Sequence, residues 1–77
     1  MHEPVHLTRH DPTCNMARFY QLDLTPDLFG GTQLIRRWGR IGTDGQMSRA
    51  WFDTTEAAQI ARDKWLRQKA RRGYRQR

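Results

Sequence analysis

Cysteine is almost absent from this chain. Of its 77 residues only Cys14 carries a thiol, so no disulfide can form within it, which suits a reducing compartment. Long apolar runs are missing as well. Nothing approaches the roughly 18 consecutive apolar residues of a membrane-spanning helix. The opening MHEPVHLTRHDPT has neither a basic n-region nor an apolar h-region, which argues against a secretion signal. The location these absences imply is the cytoplasm. Carboxylates are few, and Asp27, Asp44, Asp53 and Glu56 are scattered through turns and helix starts. No two of them are paired for acid–base work, and Cys14 has no helix start beside it to lower its pKa. The sequence therefore offers no catalytic constellation, and its reading is a protein without enzymatic activity.

Positive charge is abundant. Fourteen Lys and Arg face eight Asp and Glu, a net charge of +6 with a pI near 10.7. From Arg62 onward there are eight basic residues against one acid, Asp63. Most are arginines, whose planar fork suits phosphate and carboxylate better than an ammonium does. Such a basic end favours nucleic acid or another polyanion. A chain this short buries roughly 60% of its unfolded surface, so one small core must hold it together.

Alternation supplies the strands. Val5 and Leu7 alternate with His6 and Thr8 between Pro4 and Pro12. In NMARFYQLDL, Tyr20, Leu22 and Leu24 share one face, and Phe19, Gln21 and Asp23 the other. After the TPDLFGG loop, Thr32 to Ile41 reads as a strand with Ile35 and Ile41 on its odd face. Arg36, Trp38 and Arg40 lie on its even face. Asp44-Gly45 predicts a hairpin turn, and QMSRAWF returns. DTTEAAQIARDKWLRQKARR predicts a helix, N-capped by Asp53 with Glu56 as its capping-box partner. Ala57, Ala61, Trp65 and Gln68 would form its inner stripe, and Gly73 its stop. The fold class is α+β: an antiparallel sheet of about four strands with one C-terminal helix packed across one face. Tyr20, Leu22, Ile41 and Trp65 are the expected core.

Three groups of residues invite a functional reading. His2, His6, His10 and Cys14 recur at every fourth position, but on a strand such neighbours lie about 13 Å apart. They cannot converge on zinc, whose ligands sit within about 2.3 Å, so no metal site is expected. Gly39, Gly42 and Gly45 spell GxxGxxG and lead into a strand. Phosphate cradles open a helix, so these glycines read as a bulge and a positive-φ turn. That leaves Arg36, Trp38 and Arg40 on one strand face, a ring between two guanidinium groups. With Gly39 opening the approach, they form a stacking platform for a base or sugar. The competing reading turns Trp38 inward as core.

The stretch WGRIGTDGQ, Trp38 to Gln46, resembles the signature of the WGR domain. The likeness extends through FYQLDL, DLFGG, FDTTEAA and KARRGY, from about Asn15 to Tyr74. It suggests a single domain over residues 1–77, with a core of about 15–74, an N-terminal strand and tail over 1–14, and a basic tail over 75–77. The family occurs in DNA-dependent poly(ADP-ribose) polymerases and as short stand-alone bacterial proteins, which this chain resembles. The resemblance implies an antiparallel sheet with one helix, and a motif Trp that stacks on the sugar of a terminal nucleotide at a DNA break. Carried over, Trp38 is the stacking residue and Arg40 the phosphate or partner contact. Asn15, Arg36 and Arg37 are neighbours by position. No transferase domain accompanies the motif within these residues, so polymerase activity is not carried over, and the domains that the motif Arg contacts are missing too. A basic tail, Arg71 to Arg77, would replace that surface. The expectation is a nucleic-acid-binding module, with DNA at ends or nicks ahead of RNA. It would act through Trp38, Gly39, Arg40, Arg36, Arg37, Arg71 and Arg72, without cofactor or membrane, and DNA binding would make it nucleoid-associated. The alternative is a protein-interaction module using the Arg40 face, with a second copy of the chain among its candidate partners.

Overall fold

The computed structural model describes residues 4–76. Five strands and one helix follow in the order β1 (Val5–Asp11), β2 (Met16–Pro26), β3 (Thr32–Arg40), β4 (Gln46–Phe52), α1 (Thr55–Arg71) and β5 (Arg75–Gln76). A turn of 3₁₀ helix, Pro12–Cys14, joins β1 to β2. All pairings are antiparallel, in the spatial order β4-β3-β2-β1-β5.

The longest strand decides which face is the core. Tyr20, Leu22 and Leu24 of β2 pair with Trp38, Arg36 and Leu34 of β3, and side chains directly opposite share a face. Leu7, Tyr20, Leu22, Leu24 and Leu34 are buried there, with Ala58 of α1 against them. The core face of β3 is therefore its even face, the one that carries Arg36 and Trp38. Ile41, expected inside, lies beyond the end of β3 and is 39% exposed. Trp65 is half-buried, packed on the core from the helix side.

The helix begins one residue later than Asp53 implies. Thr54 is the N-cap, and its hydroxyl accepts from the Ala57 N–H at 3.1 Å. Glu56 lies in the first turn, where it favours the helix dipole, but it is one position short of a capping-box partner. The buried stripe keeps Ala61 and Trp65 and takes in Ala58, which is fully covered, and Leu66, whereas Gln68 is exposed. At the other end Gly73 adopts φ +94°, the Gly73 N–H donates to the Ala70 carbonyl, and the Tyr74 N–H donates to that of Lys69. This is a Schellman stop. It turns the chain back so that Arg75 and Gln76 pair with Thr8 and Leu7. The last residues described are thus an edge strand.

The two hairpin ends differ in chemistry. In the β2–β3 loop the Asp27 carboxylate accepts from the Phe29 and Gly31 N–H groups. Asp53 and Glu56 lie where the chain enters α1, beside that loop, because Thr32 and Thr55 join hydroxyls at 2.8 Å. The opposite end carries Arg18 and Arg40 on paired strands. Asp27, Asp53 and Glu56 mark one end of the sheet, and Arg18 and Arg40 the other, where Asp11 and Asp44 also lie.

Candidate nucleic-acid interface

At the arginine end, the strand registers set three arginines on one row of neighbouring strands. Arg9 of β1 pairs with Arg18 of β2, and Arg18 pairs with Arg40 of β3. All three occupy the face that carries Leu7, Tyr20 and Trp38, one row further along. Like charges directly opposite destabilise a sheet. None of the three is ion-paired among the described residues, where the single ion pair joins Arg62 to Asp63; Asp11 stands two residues beyond Arg9 on the same strand face. Arg40 donates to the Asn15 carbonyl at 3.3 Å, a neutral partner presented by an αL residue of φ +50°.

The neighbouring row is aromatic. Tyr20 stacks on Trp38 with ring centroids 6.2 Å apart and planes 25° from parallel. Trp65 lies 6.4 Å from the same ring, and Tyr74 meets it edge-on at 6.2 Å. The Arg36 guanidinium lies 4.1 Å from the Trp65 ring centre and 5.3 Å from that of Trp38. It donates to the Tyr20 hydroxyl at 3.2 Å and to Ser48 Oγ at 3.3 Å. Lys69 Nζ sits 4.6 Å from the Tyr20 ring and 5.4 Å from Tyr74. Burial, and then the charges of Arg72, Arg36 and Arg18, hold the Lys69 pKa below the ordinary lysine value. Burial raises that of the Tyr20 phenol, with the Arg36 hydrogen bond and charge working against it. The site is a set of rings interleaved with cations that form no ion pair among the described residues.

Trp38 follows the inward reading in its packing. It turns toward the helix side and packs against the core, as the inward reading requires, yet it stays only half-buried. Gly39 does not clear space for a ligand. The place of its absent Cβ is taken by the Gly45 backbone, 2.8 Å away. The same crossing excludes a side chain on Gly45, where φ is +73° and a Cβ would strike the Trp38 carbonyl. The chain reverses through Arg40 to Thr43, whose N–H donates to the Arg40 carbonyl at 3.1 Å, with Gly42 at φ +96°. The reversal thus precedes Asp44-Gly45, and the two outer glycines let the loop cross over itself.

The other expected site residues divide. Arg36 and Trp38 converge on the Tyr20–Lys69 cluster, Arg72 acts on Lys69 only through its charge, and Arg40 closes the arginine row. Arg37 points to the other sheet face, into a groove of about 280 Å³ with His6, Phe19, Gln21 and Asp44. Arg71 and Arg72 line one shallow groove with Lys64 and Gln68. His6 Nδ1 pairs with Gln21 Nε2 at 2.7 Å, and no group of three potential metal ligands occurs among the described residues. His2 lies outside them. Sequence reasoning overlooked Arg9, Arg18, Tyr20, Trp65, Lys69 and Tyr74 as site residues. Part of the signal was there: Arg18 stands two residues before Tyr20, and Arg9 two after Leu7, on the same faces.

The WGR domain family model matches residues 3–77. The chain belongs to the WGR domain family. A curated relative, the uncharacterised protein y4dW of Sinorhizobium fredii, is 48% identical over 73 residues. That alignment covers 95% of this chain and 36% of the relative, so the chain spans about a third of the relative's length. No solved structure matches. Membership in the WGR family is consistent with a nucleic-acid-binding module, and the signature Trp38-Gly39-Arg40 has a physical place in the fold. It ends β3 where the aromatic and arginine rows meet.

Proposed function

We propose that this WGR domain binds DNA at open ends or nicks, near the nucleoid, with no catalysis of its own. The observation that carries the reading is the Arg9–Arg18–Arg40 row. Three like charges on adjacent strands, none of them ion-paired among the described residues, raise the energy of the free protein, and a phosphate backbone laid across them lowers that cost. Arg36, Lys69 and Arg72 extend the field beside the rings. Trp38, half-open beside the row, stacks on a terminal sugar or base. An intact duplex exposes such a ring only at an end, because its interior stacks are filled.

The test is an amide-shift titration with a nicked duplex and with the same sequence closed into a loop-capped dumbbell. Shifts centred on Arg9, Arg18, Trp38, Arg40 and Lys69, and tighter binding to the nicked DNA, are expected. Trp38→Leu keeps an apolar side chain on Tyr20 but removes the indole. It should erase the preference at a cost of about 1–3 kcal/mol, with the electrostatic binding surviving. Neutralising about four to six phosphates gives a log–log salt slope near −4 to −5. Equal affinity for both DNAs would reduce the site to a general polyanion surface. The absence of shifts with either DNA would favour a protein partner at the Arg40 face.

A further inference from the structure

The sheet has two edges, and they are guarded unequally. On one side β5 is two residues long and carries Arg75, the short charged edge that discourages further pairing. On the other, β4 runs for seven residues, QMSRAWF, without proline or glycine and with Arg49 as its single charge. Its register with β3 is unbroken from Gln46 to Phe52, so no bulge twists the outer edge away. Met47 and Trp51 flank Arg49 on the sheet face opposite the helix, and they are 51% and 64% exposed. A long, regular, weakly charged edge is a template for another strand.

We infer that β4 pairs antiparallel with β4 of a second copy of this chain, about a two-fold axis at Ala50. The choice of occupant rests on the self-complementarity of the strand. A two-fold antiparallel pairing keeps each side chain on its own face only if the axis passes at a residue facing itself. An axis at Arg49 would set the two Arg49 side chains directly opposite, which is unfavourable. An axis at Ser48 would bring Trp51 opposite Gly45, in the turn, and leave it bare. An axis at Ala50 places a small residue on itself and sets Arg49 opposite Trp51 of the second copy, twice over. Each exposed indole then receives a cation. Phe52 falls opposite Ser48, and the five-stranded sheets continue into one of ten strands.

The pairing is expected to be weak. Five residues from each copy give a small interface, below the roughly 1,200 Å² of stable complexes, and two copies of net charge +6 repel. The dimer therefore forms at high protein concentration, or where a polyanion screens the charge. The axis stands perpendicular to the sheet, so both helix-side faces look the same way. Strand spacing and rise put the two Trp38 residues about 30 Å apart on one side of the dimer.

Sedimentation equilibrium of the full chain without nucleic acid tests the inference. The parent should dimerise in the millimolar range and dissociate in the micromolar range. Trp51→Lys, which sets a cation against Arg49 of the second copy, should weaken association at least about tenfold. Trp51→Glu, which sets a carboxylate there, should retain it. Trp51 is exposed, so circular dichroism melts of both variants should match the parent. A parent that stays monomeric at millimolar concentration would overturn the pairing, as would association indifferent to Trp51→Lys. Equal loss in the Lys and Glu variants would overturn the axis at Ala50.

Discussion

Arg18 and Arg36 belong to the same charged end, yet they play opposite parts in the free protein. Arg36 is embedded: its guanidinium lies between two indoles and donates to Tyr20 and Ser48. Arg18 is exposed between two other arginines and forms no ion pair among the described residues. Removing its charge should stabilise the fold and harm binding together. Arg18→Gln is expected to raise stability by about 0.2–1 kcal/mol, read from thermal melts. It should also shrink the salt slope for DNA by about 1. Lys69 offers a second readout. Its pKa is depressed, so the unfolded chain holds that proton more tightly, and folding stability rises with pH as the ordinary value of 10.5 is approached. Burial also raises the Tyr20 pKa, so Tyr20 acts in the other direction, and its contribution is lost as pH climbs past 10 and through its folded pKa. A phosphate beside Lys69 offsets the neighbouring charges that depress its pKa. The Lys69 pKa, followed by carbon NMR at Cε, should move back toward 10.5 when DNA binds; a value unmoved by saturating DNA would place the phosphate elsewhere.

At the scale of elements, strand periodicity was legible and pairing was not. Tyr20, Leu22 and Leu24 alternate so cleanly that the buried face of β2 follows from their spacing. Which face of β3 meets it depends on register, which alternation within β3 cannot supply. The reading took Ile41 as core and passed over Leu34, although Leu34 is the buried residue. Asp53, Thr54 and Thr55 all have capping chemistry, so the helix start was ambiguous by one residue. The return strand β5 has only two residues, too few for a periodic signal. Its presence changes what truncation does. Cutting after Arg71 removes basic charge, but it also removes the Gly73 stop, the Tyr74 ring against Tyr20 and the pairing with β1. The shortened chain should melt at clearly lower temperature, with a loss of about 2–4 kcal/mol from the aromatic and edge contacts. A melt unchanged by the cut would show that β5 and Tyr74 contribute nothing to the fold.

At the scale of the whole molecule, the candidate site could be read only in part because it is assembled from four separate stretches of chain. Arg9, Arg18, Trp38 and Lys69 lie far apart in sequence and meet only through the order β3-β2-β1 and the helix above it. The same order brings the first and last strands together. Leu7 pairs with Gln76 in antiparallel register, so the chain enters and leaves the sheet at the same end, about 5 Å apart. A unit with its ends side by side can be spliced into a loop of another protein without stretching either host or guest. Its folding would not depend on lying at either end of a longer polypeptide. The relative that extends well beyond this chain's length is the kind of protein in which such portability has a use.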